Sequence, residues 1–254
     1  SDDNPITFGI SNGHRGEVWD DSQAMEHHLR DTFAKISQFT EAKFEYAGFF
    51  EDPLDAKEID VLISLDANYL SDNDLNYVFS GRRPGSENNP IAPDQAADGH
   101  IYFNTQSSIF ASDEELNFEL SLNTTKVGDL MLMHAALRAI GIKATYHSFG
   151  DRPSIEGTRF NLDADTSMYS VTNRAYTSIN DAVDTNLGVW DILGLMYLYG
   201  LNASTNIDDN VYQLSNLSEY TPIYDVGGID TINFAESSEN IFTILPSIST
   251  TKAN

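Results

Sequence analysis

Two apolar stretches constrain this chain most, because each has the length of a helix and each is stopped by a glycine. Residues 127–140 run as an apolar helix up to Gly141, and residues 188–199 do the same up to Gly200. Glycine enters the left-handed region that closes a helix, so Gly141 reads as a natural C-cap. Neither stretch approaches the ~20 residues needed to cross a bilayer. Both therefore read as parts of a folded interior. At 254 residues, 41% of them apolar, the chain is long enough to bury one, in a single large domain or two smaller ones.

A third helix is predicted over residues 22–39. Met25, Leu29, Phe33, Ile36 and Phe39 recur at three- and four-residue steps, and residues 20–22 supply an N-cap. Residues 43–50, 59–65 and 100–104 cluster or alternate as strands do. The polar stretch 81–99 is expected to run over the surface, and residues 145–186 read as loop, with scattered Gly, Pro, Asp and Asn. From residue 202 onward the pattern turns to short strands and turns, including 224–234. The organisation expected is one unit over 1–203 followed by a small β-rich extension over 204–254, either the start of a β-roll or packed against the first unit.

Charge narrows the partners. Fourteen basic residues against 39 acidic ones give a formal net charge of -25. No basic stripe exists to displace counterions from phosphates, so neither nucleic acid nor an anionic membrane surface is an expected partner, and no membrane insertion is expected. An acidic surface suits a salty or calcium-containing medium. The absence of cysteine excludes disulfides and thiolate metal sites. A reducing cytosol and a bacterial exoprotein that folds with calcium both fit that absence. The opening Ser-Asp-Asp-Asn reads as a mature or trimmed start without a signal peptide.

The stretch with chemical content is LMHAALRAIGIKA, residues 132–144. Zinc proteases place two histidines at i and i+4 on one helical face, with a glutamate beside the first to take a proton from metal-bound water. In one form a glycine turns the chain three residues later, and a third histidine follows. On that template His134 holds the first ligand position and Gly141 the turn, while Ala135 stands at the general base, Arg138 at the second ligand and Ala144 at the third.

The frame extends beyond this helix. GVWDILGLMYLYG (188–200) is followed by TNIDDNVY (205–212) and YDVGGIDTINF (224–234), with EIDVLIS (58–64) and GHIYFN (99–104) upstream. Taken in order, these segments resemble the metzincin zinc metalloproteases, and those after residue 200 their serralysin branch. The resemblance implies an α+β fold with a twisted mixed sheet and two long helices, then a small β-rich C-terminal segment. It also implies a secreted, extracellular, bacterial setting, and makes 100–104 the edge strand beside the substrate cleft. The methionine that supports the metal in that family would be Met168, or Thr172 would replace it.

Three of the four reacting positions lack the necessary groups. Zinc needs protein ligands that each donate a lone pair. Arg138 stays protonated and repels a dication, and alanine donates nothing at 135 or 144. Zinc is not expected, and a site rebuilt around His134 would need His147, His100 or the pair His27 and His28. Arg138 either fills the vacated space and pairs with a carboxylate or lies solvated in an open cleft. Calcium is expected instead. Asn206, Asp208, Asp209, Asp225 and Asp230 offer oxygens, and Gly227 and Gly228 permit the tight turn that such a ligand set needs.

These residues predict a catalytically inactive pseudoprotease serving as a binding or scaffolding module, with an extended peptide or protein in the former cleft. An active metallopeptidase or other hydrolase with a relocated site is the alternative, and a structural spacer with no ligand is a third.

Overall fold

The computed structural model describes residues 4–66, 79–81, 99–105, 126–142, 187–213 and 223–233. Strand β1 (Ile6–Ser11) opens it, followed by helix α1 (Ser22–Ser37), β2 (Phe44–Phe50), a 3-10 turn (Pro53–Ala56) and β3 (Val61–Asp66). Then come β4 (Phe79–Gly81), β5 (Gly99–Asn104), α2 (Lys126–Ala139), α3 (Val189–Tyr199), β6 (Val211–Gln213) and β7 (Thr231–Asn233). The three helices lie where the apolar patterns put them. Residues 67–78, 82–98, 106–125, 143–186, 214–222 and 234–254 lie outside the described residues, and with them most of the two expected loops, Met168 and Thr172.

Among the described residues the main sheet has five strands in the order β2-β1-β3-β5-β4. The pairs among β2, β1, β3 and β5 are parallel, and β4 runs antiparallel to β5. The fold is thus mixed α+β. Strand β1 was not read from the sequence, although Ile6, Phe8 and Ile10 alternate with Thr7, Gly9 and Ser11 at the period of a strand with one apolar face. A bulge interrupts its pairing with β2 between Phe8 and Gly9, where a Cβ on Gly9 would come within 2.7 Å of the Gly48 carbonyl oxygen.

One expectation needs correcting. Residues 100–104 are not an edge strand, because β5 is hydrogen-bonded to β3 on one side and to β4 on the other. All six of its residues are buried, as a strand enclosed on both faces and both sides must be. Among the described residues the edge on that side belongs to β4.

Helix α1 lies over β1 and β2, and α2 over β3 and β5. The α1 stripe of Met25, Leu29, Phe33 and Ile36 meets Phe8, Ile10, Val61, Ile63, Ile101 and Phe103 in a single core. Burial of each such side chain stabilises by about 1.5–3 kcal/mol before entropy is counted. Phe33 sits between two strands' rings, 4.4 Å from Phe8 and 4.8 Å from Phe44 between centroids. The Asp21 carboxylate caps the helix by accepting the Ala24 N–H at 2.9 Å. At the other end α1 stops at Ser37, two residues before the predicted limit of 39, and its last carbonyls are taken by the C-terminal segment. Asn202 Nδ2 donates to Ser37 O at 3.1 Å and Thr205 Oγ1 to Gln38 O at 2.7 Å.

Helix α2 is buried on nearly every side, from Leu130 through Leu137. Its end is the expected glycine cap. Gly141 has φ +96°, the Ile142 N–H donates to Leu137 O at 2.9 Å, and the Gly141 N–H to Arg138 O at 3.2 Å. That pair of bonds, with Leu137 and Ile142 together in the core, is a Schellman motif. Two contacts lock this end in place: Gly99 lies flat against the Ala139 carbonyl, where any Cβ would collide, and the Tyr199 hydroxyl of α3 donates to Ile140 O.

A polar contact joins the two long helices. His28 Nε2 lies 3.0 Å from an Asp129 carboxylate oxygen. The His28 imidazole, through that hydrogen bond, holds the Asp129 carboxyl below its ordinary 3.8 although partial burial opposes the shift. A carboxyl whose folded value is lowered stabilises above its unfolded value, and the contribution fades as the pH falls through the lowered one. Asp129→Asn is therefore expected to lose about 0.5–1 kcal/mol at neutral pH, in urea unfolding, with the gap to the parent closing as the pH falls through the carboxylate range. An equal loss in neutral and in acid solution would show that the charge on Asp129 is irrelevant.

Candidate functional site

Helix α2 sets the residues compared with the zinc template in the middle of the core. His134 is 2% exposed and Ala135 fully buried. Arg138 is half-buried in the last turn, where a cation is favoured by the carbonyl end of the helix dipole. Gly141 follows in the cap, and Ala144 lies outside the described residues. Residue 135, where the template would put a water-activating base, is thus a methyl group that solvent does not reach.

The other histidines are placed elsewhere. Ile101 and Phe103 face the helices, so by strand alternation His100 and Tyr102 face the opposite side of the sheet from α2. There His100 Nε2 hydrogen-bonds with Ser64 Oγ at 2.7 Å, and its ring lies 3.9 Å from that of Tyr102. His28 is engaged with Asp129, and His27 is an exposed neighbour of Asp31 at 3.5 Å. His147 lies outside the described residues. Among the described residues, no three His, Asp or Glu side chains converge as a metal site.

The Ser64–His100 pair escaped the sequence reading, because only parallel pairing of β3 with β5 brings residues 64 and 100 together. A serine beside an imidazole is the start of a nucleophile–base arrangement. Both side chains are fully buried in mid-strand, however, so the pair offers no approach to a substrate.

The acidic residues after 204 are gathered into one small structure. Strands β6 and β7 pair in parallel, Val211 opposite Thr231. The turns that precede them stack, so that Gly227 and Gly228 pass directly under Ile207 and Asp208. Gly228 has φ +89° and no room for a Cβ against the Asp208 carbonyl, which accounts for glycine there. Asn206, at φ +50°, donates from Nδ2 to Tyr224 O at 2.8 Å. Asp209 accepts the Ile229 N–H at 2.7 Å, Asp230 the Asn210 N–H at 3.0 Å, and Asp225 the Gly227 N–H at 3.0 Å. The carbonyl of Asp208 accepts from Asn210 Nδ2. The turns that carry the seven residues expected to bind calcium therefore stack, but no three of their carboxylates converge as a metal site. Three of their four carboxylates accept backbone N–H bonds that tie one turn to the next or close a turn, and each oxygen so engaged keeps a second lone pair.

Asp225 also accepts the Tyr212 hydroxyl. That hydroxyl, then the Gly227 N–H, lowers the Asp225 carboxyl below its usual range. Tyr212 is pushed the other way, to about 12, by desolvation first and then by the Asp225 and Asp230 carboxylates.

Compared with protein-family models and with curated protein sequences, the chain matches none.

Two outcomes follow from this geometry. Asp225→Asn is expected to bring Tyr212 ionisation down from about 12 toward the ordinary 10, measured by NMR of the tyrosine rings; an unmoved titration would mean that Asp225 does not control the phenol. Arg138→Ala is expected to reduce stability by about 0.3–1 kcal/mol, the scale of a helix-end charge. A loss of ~3–5 kcal/mol in the same measurement would identify a buried ion pair instead.

Proposed function

We propose that this chain is a catalytically inactive, metzincin-like pseudoprotease of the serralysin branch, acting as an extracellular binding or scaffolding module. The observation that carries the proposal is the state of α2. The histidine at the first ligand position is enclosed at 2% exposure, with alanine beside it and a permanently charged guanidinium one helical turn on. Zinc needs convergent lone-pair donors, and the peptidase reaction needs a base within reach of metal-bound water. The mixed sheet with two long helices on one face agrees with the fold that the resemblance implies.

The ligand side of the proposal has two parts. An extended peptide would add to the sheet at β4 and not at β5, whose two sides are already paired. Calcium would bind at the stacked turns, where Asp208, Asp209, Asp225 and Asp230 supply carboxylate oxygens and the Asp208 backbone a carbonyl. No helix among the described residues is long and apolar enough to cross a membrane.

Elemental analysis and calorimetry of the purified protein test both halves. The expected result is no stoichiometric zinc, no chelator-sensitive peptide cleavage, and a binding heat with a raised melting temperature on adding calcium. Tightly held zinc with chelator-sensitive cleavage would replace this reading with an active peptidase whose site is relocated. No heat and an unchanged melting curve with calcium would reduce the stacked turns to an ordinary acidic coil.

A further inference from the structure

We draw no further inference here: the strongest candidate, the exposed apolar stripe of Leu193, Tyr197 and Leu201 along helix α3 and its exit, carries nothing because nothing in the structure shows what covers it.

Discussion

Enclosure of α2 is the constraint on which the rest of this structure depends. A helix that is apolar around most of its circumference cannot sit at a surface, so it must be walled in on several sides at once. The parallel strands β3 and β5 form the floor, α1 one wall, and the Tyr199 hydroxyl of α3 closes the C-terminal end. The close approach of Gly99 to Ala139 sets how deeply the helix seats, because a side chain at 99 would hold the two backbones apart. The polar link from His28 to Asp129 fixes the lateral position of α1 along it.

That enclosure also bears on chemistry. A metal-activated water needs a pocket that water can enter, and the groups that would form one here are an enclosed imidazole, a methyl group and a guanidinium. Packing and residue identity therefore point the same way. Ala135 carries no group that needs water and joins the core, where its apolar burial adds stability.

The C-terminal coil rests on a different principle. None of its described residues is buried, and its order comes from hydrogen bonds between stacked turns: carboxylates bonded to N–H groups, Asn206 bonded to the Tyr224 carbonyl, and two glycines allowing the backbones to touch. It is attached to the main body through the end of α1, where Asn202 and Thr205 take carbonyls that the helix leaves open, and where the Phe39 and Tyr224 rings lie 5.4 Å apart. An acidic segment with no buried residues among those described feels the repulsion among its carboxylates directly.

The sequence by itself determined the elements whose signal is local. The 3.6-residue stripe of Met25, Leu29, Phe33 and Ile36, the apolar stretch ending at Gly141 and the glycine stop at Gly200 each mark a helix through the periodicity of neighbouring residues. That residues 138 and 144 offer no zinc ligand and residue 135 no carboxylate was equally legible, since it follows from residue identity. Only the tertiary structure decided what depends on distant partners. It showed that β5 is interior, that β1 joins β2 to β3, that Ser64 meets His100, and that the turns at 206–210 and 225–230 stack. Strand order and cross-strand contacts arise between segments tens of residues apart, and hydrophobic alternation states which face of a strand is buried without stating which strand lies beside it.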